Sequence, residues 1–574
     1  MPRAEGMTMD LHRNQSPHKR PRKRTDCANE PGATLSSCLG TRRAFLGQAL
    51  VAGIAVLPRC FGGAMRASEG SFLSASGMES RRASEACGIR ARLARTECAA
   101  FHAHHETNGD EERYPNKIGS FSKGLPHNRL GEVEAAAYDS LIRALRSGTP
   151  LEYENVILGG DRRLTNPQAG LAFDMRGPDS HAMAIRPAPA FGSAEEAAEI
   201  AENYWMALAR DIPFNDYDTN ALIQRACDDL TRFSDFRAPK VGNKITPHCL
   251  FRGNAPGTCS GPYLSQFLIT DARYGTERLN RKVRAVMPGL DYMITFDEWL
   301  SAQNGNTPWP DQYDSFSCYI RNGRDLGQWV HYDVLFQAFL DALLVLFQLG
   351  ARRTIHDPYI HSRTQQGLVT FGSAHVAALV CAVCEPALKA TWFQKWFVHR
   401  RLRPEEFAGW VHNQAQRRGD YPIHSEILQS DALKAIFAKY QTYLLPQAYP
   451  EGSPTHPAYS AGHATAAGAC ATILKAFFEE SFQIRWPLEV SSDGLSTVPY
   501  EGPELTVGGE LNKLAYNVAM GRNMAGVHWR SDAEESLKLG EHVALHYLAE
   551  ERACLHESFD GFSLTKFDGT KVTI

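Results

Sequence analysis

Residues able to hold and transform an anion are concentrated in three segments near the end of the chain, 390–404, 453–464 and 521–532. These segments supply lysine, arginine and histidine side chains and a glycine that precedes a helix-forming run. Cationic side chains bind oxyanions through short charge-assisted hydrogen bonds, and an imidazole titrates close to neutral pH, so it can carry a proton. These residue types indicate chemistry on a bound oxyanion.

The first segment contains KWFVHRRLRP and ends a helical pattern that begins near Gly372. Lys395, His399 and Arg403 are four residues apart, so they share one side of a helix with about 80° of drift across the set. Pro404 disfavours helical geometry at Arg403, which leaves that guanidinium at the helix end, free to turn inward. A basic last turn also occurs as a solvated face that complements the helix dipole, and this segment alone fits both interpretations.

The second segment, SPTHPAYSAGHA, is followed by the helical run TAAGACATILKAFF. A proline-rich loop that delivers Gly462 and His463 to a helix start places unpaired backbone N–H groups beside an imidazole. Because Gly462 has no Cβ, an oxyanion can approach its backbone closely. The pattern predicts an anion cradle with a proton donor built in, although a Pro/Gly loop before a helix also occurs for purely structural reasons.

The third segment is GRNMAGVHWRSD. Arg522 and His528 would lie on different faces of an unbroken helix, but Gly526 between them lets the chain turn, so both side chains can face one pocket. Asp532 is a candidate acceptor for the ring N–H of His528, a bond that would fix the tautomer and strengthen His528 as a ligand. A capping-box pattern over 531–534 predicts the start of the next helix.

The combination is more informative than any single segment. A helix start lined by glycine, three cations and two imidazoles suit a tetrahedral oxyanion that becomes five-coordinate during reaction. The side chains in this set are Lys395, Arg403, Arg522, His463 and His528.

Helical patterns position these segments. Runs such as EVEAAAYDSLIRALRSG, SAEEAAEIAENYWMALARDI and DVLFQAFLDALLVLFQLG carry apolar residues at intervals of three and four, whereas clear alternating strands are scarce. Residues 235–330 are rich in Pro, Gly, Asn and Tyr, which predicts long ordered loops that line a site or an interface. We expect an all-α fold of helical bundles, with two units resembling four-helix bundles.

Composition restricts the function classes. A chain of 574 residues with 43% hydrophobic residues can bury a large core. The 61 Lys and Arg against 64 Asp and Glu give a net charge of -3, which argues against a general nucleic-acid binder. The 13 cysteines lack the dense spacing of a small disulfide scaffold. Cys381 and Cys384 lie close together in an apolar run, which favours packing, with a disulfide or redox role as the alternative.

Residues 1–70 have the pattern of a targeting leader. A basic run, HKRPRKR, precedes TRRAFL, which resembles a twin-arginine signal, and an apolar stretch of about 15 residues follows, too short to span a bilayer comfortably. The pattern predicts removal of the leader after export to the periplasm or outside the cell, with no stable membrane span. A plastid transit peptide leading to the thylakoid lumen, or a disordered basic tail, is the alternative. Residues 71–574 would form the helical enzyme domain.

The three segments resemble the superfamily shared by vanadium-dependent haloperoxidases and type 2 phosphatidic acid phosphatases, whose pattern is Lys to Arg-Pro, then Ser-Gly-His, then Arg to His to Asp. The interval from Lys395 to Arg403 is one residue longer than in the phosphatases and is similar to that of algal-type bromoperoxidases. Further stretches of the sequence resemble the same branch, among them HHETNGDEERYPNKIGSFSKGLPHNRLGEV and LTVGGELNKLAYNVAMGRNMAGVHWRSD. The resemblance runs from near residue 90 almost to the C-terminus.

The resemblance implies one vanadate cofactor per subunit and assigns roles to individual residues. His528 would bond to vanadium, and His463 would carry out acid–base chemistry. The vanadate oxygens would be held by Lys395, Arg403, Arg522 and the backbone N–H of Gly462.

Other positions shape the implied pocket. His456 and Trp392 would form its halide-binding walls, and Lys395 would polarise bound peroxide. Ala461 departs from the family, which usually has serine there, so one hydrogen bond to vanadate would be missing. Some relatives in the family bind calcium. The resemblance does not locate a calcium site in this chain, because the segment IHDPYIHSRTQQG offers few carboxylates beyond Asp357.

The implied reaction is oxidation of bromide and iodide by hydrogen peroxide to hypohalous acid, which halogenates small organic compounds. Homo-oligomers are implied as well. The alternative within the superfamily is an acid phosphatase, in which His528 would form a phosphohistidine intermediate and His463 would protonate the leaving group.

Overall fold

The computed structural model describes residues 75–100, 103–306, 308 and 310–574. The chain divides after Arg81, and every element from Asp110 onward belongs to the unit Arg82–Ile574. The leader predicted over 1–70 lies outside the described residues.

Helices are the main regular elements, which confirms the predicted all-α class. The helices are α1 (Ala75–Ala100), α2 (Asp110–Arg113), α3 (Ala135–Ser147), α4 (Pro150–Glu154), α5 (Ala194–Ala209), α6 (Ala221–Thr231), α7 (Gln266–Ile269), α8 (Phe296–Gln303), α9 (Gly323–Tyr332), α10 (Gln337–Gln348), α11 (Ser373–Ala382), α12 (Cys384–Phe393), α13 (Pro404–Ala415), α14 (Ser425–Gln429), α15 (Asp431–Tyr440), α16 (Gly462–Phe477), α17 (Val507–Met524) and α18 (Arg530–Cys554).

The strands form four antiparallel pairs, β1 with β2, β3 with β4, β5 with β6 and β7 with β8. Their bounds are β1 (Ala272–Tyr274), β2 (Glu277–Leu279), β3 (Val283–Val286), β4 (Tyr313–Cys318), β5 (Leu488–Val490), β6 (Thr497–Pro499), β7 (Ser563–Thr565) and β8 (Lys571–Thr573). The first two pairs, with α7, α8 and most of α9, lie in the stretch predicted as loops. That prediction is therefore wrong in part, because the stretch also contains short helices and paired strands. Strands β1 and β2 form a tight hairpin that turns at Gly275, which has φ 62°.

Helix α16 is the centre of the core and packs against α11, α12, α17 and α18. All of its residues except His463 are buried. Alanine and glycine dominate it because α16 and α18 approach closely: a Cβ at Gly468 would overlap the carbonyl of Leu537, and one at Gly540 would overlap the carbonyl of Thr465. The close approach fixes the start of α16 relative to α18.

We expect Gly540→Ala to lower the free energy of unfolding by about 1–3 kcal/mol, since two helix backbones must separate to admit one methyl group. The matched control is Gly327→Ala in α9, where the added Cβ would lie 3.5 Å from its nearest neighbour, an ordinary contact. Chemical denaturation of both variants measures the difference. Equal free energies of unfolding would show that α16 and α18 can separate enough to admit the methyl group without loss of stability.

Among the described residues, one helical stretch, Ser373–His399, is long and apolar enough by composition to cross a membrane. Helices α9 and α10, bent by 104° relative to each other, pass the same test only when taken together. Half of the most apolar window of Ser373–His399 is buried inside the protein, and its last turn contains the fully buried Lys395. These features are those of a core helix.

Candidate active site

The helix that leads into the site ends earlier than the sequence predicts. Helix α12 passes into one π-helical turn, Gln394–His399, and the next residue has left-handed backbone geometry with φ 40°. Arg403 is extended, with φ −85° and ψ 157°, and Pro404 opens α13, as its effect on the preceding residue requires. The predicted common helix face is therefore wrong. The ring of His399 packs edge-on against Tyr459 instead, with 4.8 Å between centroids.

Lys395 and Arg403 are fully buried and bind the second segment. Lys395 Nζ donates to the carbonyl oxygens of residues 457 and 458, at 2.6 and 2.8 Å. Arg403 donates through Nη2 to Nδ1 of His456 at 2.9 Å and through Nη1 to Nε2 of His528 at 3.0 Å. The structure thus brings together residues from all three predicted segments.

The third segment turns where glycine permits it. Gly526 has φ 87°, and the turn after α17 brings His528 back toward Arg403. Arg522, near the end of α17, donates through Nη1 to the carbonyl of Val330 at 2.9 Å, and its Nε is buried without a partner. Gly526 therefore has the conformation that the sequence predicts for it.

Helix α18 begins two residues before the start that the capping-box pattern predicts. Its first turn is capped by Asp532, which accepts from the backbone N–H of Trp529 at 3.1 Å. Ser531 donates to Glu199 and Glu534 accepts from a tyrosine of α17, so the predicted pairing of those two residues is wrong. Asp532, rather than Ser531 or Glu534, caps the helix, because its carboxylate accepts from the backbone N–H of the residue before the helix.

Asp532 also orients the histidine. His528 Nδ1 lies 2.7 Å from Asp532 Oδ2, and the other carboxylate oxygen accepts from Arg401 at 2.8 Å. Arg401 in turn pairs with Glu196 and Glu199. Because Nδ1–H donates to Asp532, the lone pair of His528 lies on Nε2, facing the cations. Asp532 was predicted from the sequence, but its supporting network was not. The sequence signal for that network is Glu196 and Glu199, two carboxylates three residues apart in a buried helix.

We expect Asp532→Ala to weaken anion binding at His528 by roughly 10- to 100-fold, because the imidazole loses the partner that fixes its tautomer. Glu534→Gln is the matched control, since Glu534 is on the same helix and points to Tyr516. Isothermal titration of both variants with orthovanadate measures the effect. Equal affinities would mean that Asp532 stabilises only the helix start.

The second segment forms the predicted helix start. Gly462 is the first residue of α16, and Ala461 precedes it in extended geometry, so the first N–H groups lack helical acceptors. His463 Nε2 lies 2.8 Å from Asp333 Oδ1, and the other oxygen of that carboxylate has no partner. Asp333 follows α9 directly and was not found from sequence, because nothing in its local text distinguishes it from a surface carboxylate.

The predicted halide walls adjoin this helix start. The rings of Trp392 and His456 are 5.0 Å apart, and a Cβ at Gly462 would lie 3.4 Å from the Trp392 ring. Because a guanidinium can only donate, His456 Nδ1 accepts from Arg403, and its proton lies on Nε2.

Three cations at the centre are unneutralised. Within the described part of the chain, no carboxylate lies within 4.0 Å of the charged nitrogens of Lys395, Arg403 or Arg522, whereas the buried Arg401 and Arg530 have glutamate partners. Buried charges are normally paired. The arrangement is therefore built for an anion from outside the chain.

The electrostatics agree with that interpretation. Burial, followed by repulsion from Arg403, holds the pKa of Lys395 well below its usual range. Burial also lowers the pKa of Arg403 to about 9. Burial and the charges of Arg403 and Lys395 hold the pKa of His528 well below its usual range, so its imidazole is neutral. The burial cost of the cations would be offset by an anion in contact with them.

Comparison with known proteins assigns this arrangement to a family. The model for the second helical-bundle domain of VCPO matches residues 375–557. The vanadium-dependent bromoperoxidase of Corallina officinalis is 37% identical, covering 85% of this chain and 95% of its own length. That of Ascophyllum nodosum is 37% identical, covering 75% and 82%. This chain belongs to the vanadium-dependent bromoperoxidase family.

A solved member of the family has the same fold. The second vanadate-dependent bromoperoxidase of Ascophyllum nodosum, a homohexamer, matches with a TM-score of 0.83 and 32% identity, over 91% of this chain and 95% of that one. The family resemblance and the helical-bundle fold expected from the sequence are confirmed.

Calcium, which the sequence left open, gains no site from the described residues. Asp357 pairs with Arg353 and accepts from the backbone N–H of Tyr359. No group of three or more His, Cys, Asp or Glu in that part of the chain could hold a metal ion.

Proposed function

We propose that this bromoperoxidase-family chain uses vanadate and hydrogen peroxide to oxidise bromide and iodide to hypohalous acid, which halogenates small organic compounds. The observation that carries the proposal is the convergence of three unneutralised, buried cations on the neutral imidazole of His528. The activity named for its relatives supports the same reaction.

The donor set fits a vanadate anion. The Nε2 lone pair of His528 accepts from Arg403 in the structure and would bind the metal in place of that hydrogen bond. Arg522 has an unpartnered Nε, and the N–H of Gly462 opens a helix. When bound, vanadate supplies a Lewis acid that activates peroxide without changing its own oxidation state. Its oxygens would be held by Lys395, Arg403, Arg522 and Gly462.

His463 would carry the proton of the reaction. Its Nε2 bonds to Asp333, which holds the ring at the cradle entrance and stabilises the imidazolium after His463 accepts a proton from peroxide. Lys395 would donate to the reacting oxygen and polarise the O–O bond, because its ammonium lies in a site with little water to screen it.

The halide would enter beside Trp392 and His456. Burial, with the charges of Lys395 and Arg403, holds the pKa of His456 well below its usual range, so the ring stays neutral. It would therefore offer the halide one N–H donor from Nε2 without adding a fourth positive charge.

Paired turnover assays separate this function from phosphatase chemistry. Purified protein loaded with vanadate should oxidise bromide in the presence of peroxide, and vanadate-free protein should leave a chromogenic phosphate ester intact. Hydrolysis of the ester without bromide oxidation would instead assign the phosphohistidine mechanism to His528.

We extend the proposal to assembly and location. The homohexameric neighbour supports a homo-oligomer for this chain. The twin-arginine-like text in residues 1–70 supports export, with the thylakoid lumen as the alternative destination.

A further inference from the structure

Two buried thiols on helices α12 and α16 face each other. Cys384, the first residue of α12, has its Sγ 3.3 Å from the Sγ of Cys470 on α16. Both thiols are buried, and both lie within hydrogen-bonding distance of the carbonyl oxygen of Val380. This pair joins two helices and differs from Cys381 and Cys384, the pair that is close in the sequence.

The pair adjoins a pocket that shares Trp392 with the active site. Cys381 and Cys384 line an apolar pocket of about 590 Å³, whose lining also includes Leu388 and Trp392. Both of those side chains lie 3.4–3.5 Å from the position of a Cβ on Gly462. One wall of the pocket thus runs along α12 from the halide wall to the thiol of Cys384, while Cys470 lies behind it.

We propose that Cys384 and Cys470 form a redox-active dithiol that hypohalous acid produced at the site converts to a disulfide. This proposal rests on the proposed function for the source of the oxidant. In the first step, the Cys384 thiol and hypobromous acid give a sulfenyl bromide and water. In the second step, the sulfur of Cys470 displaces bromide and its proton is released, so two thiols lose two electrons and one disulfide forms.

The geometry favours this course over further oxidation. Closing the 3.3 Å contact to a bond length of about 2.0 Å needs a sulfur movement of about 1.3 Å, within the range of side-chain adjustment. Cys384 lines the pocket and Cys470 is fully buried behind it, so Cys384 meets the oxidant first. A neighbouring thiol captures the first oxidation product before it gains more oxygen.

The bond would join the two helices that lead to the cradle. Cys384 and Trp392 are both on α12, and Cys470 follows Gly462 by eight residues, about 12 Å along α16. The disulfide would hold α12 against α16 while the enzyme turns over and is exposed to the hypohalous acid that it produces.

Peptide mass spectrometry tests the inference on vanadate-loaded protein. Stoichiometric hypobromous acid, added without peroxide, should join the Cys384 and Cys470 peptides with loss of two hydrogens. Turnover with bromide and peroxide should give the same link. Cys381→Ser should keep the link, and Cys470→Ser should show added oxygen on Cys384 and faster loss of activity during turnover.

The outcomes distinguish the two proposals. No 384–470 link after added hypobromous acid, or a 381–384 link instead, would overturn the dithiol. Turnover that oxidises bromide without forming the link would also overturn the dithiol proposal. A link with added hypobromous acid, with neither the link nor bromide oxidation during turnover, would count against the proposed halide oxidation instead. Exposed Cys87, Cys98 and Cys554 will also be oxidised, so the readout must resolve individual peptides.

Discussion

His528→Ala is expected to abolish vanadate retention and bromide oxidation together. The variant removes the imidazole whose Nδ1 is held by Asp532 and whose Nε2 lies 3.0 Å from Arg403, one of the three cations. Equilibrium dialysis against vanadate, followed by a bromide-oxidation assay, measures both losses.

His463→Ala is expected to behave differently, keeping measurable vanadate while losing most turnover. Removal of a positioned general acid–base group typically costs about 10²- to 10⁴-fold in rate. His463 contacts Asp333 and lies outside the set of three cations, so its loss leaves the anion contacts in place. If both variants bound vanadate as well as the wild type does, the division of roles between the two histidines would be wrong.

Ala461→Ser is expected to tighten vanadate binding by roughly 10- to 150-fold, because a hydroxyl donor to a charged oxyanion contributes about 1.5–3 kcal/mol. Ala461 immediately precedes Gly462 and has extended geometry, with φ −88° and ψ 122°, which serine accepts readily. Titrating both vanadate-free proteins with vanadate and following recovered bromide oxidation gives the two affinities.

Thermal unfolding of the vanadate-free proteins is the control for that substitution. A serine that only caps α16 would raise the midpoint of unfolding and leave the affinity unchanged. An unchanged or weaker affinity would show that the side chain at 461 points away from the oxyanion or that a water already supplies the donor.

The local sequence predicted which segments are helical better than it predicted where those helices end. The amphipathic runs became α3, α5 and α10, and the glycines at 462 and 526 have the helix-start and turn positions that were predicted. The end of the long apolar helix was not predicted. Residues of the π-helical turn over Gln394–His399 contact Tyr459 and Pro457, which are distant in sequence, and local sequence does not reveal such contacts.

The residues of the candidate site also divide into those that local sequence predicts and those that only tertiary packing brings together. Charged residues at fixed spacing could be recognised within each segment, since a helix or a turn relates them directly. The partners that orient them could not be recognised. Asp333 directly follows α9 and Glu196 is on α5, and each is more than 100 residues from the histidine or arginine that it contacts. Only tertiary packing brings those carboxylates to the site.

Restoration of bromide oxidation by vanadate tests the central claim most directly. Protein freed of metal by chelation should be inactive and should regain bromide and iodide oxidation in proportion to added vanadate. Phosphate, which suits the same cradle of Lys395, Arg403 and Arg522, should inhibit that recovery competitively. Equal bromide oxidation by vanadium-free and vanadate-loaded protein would contradict the account.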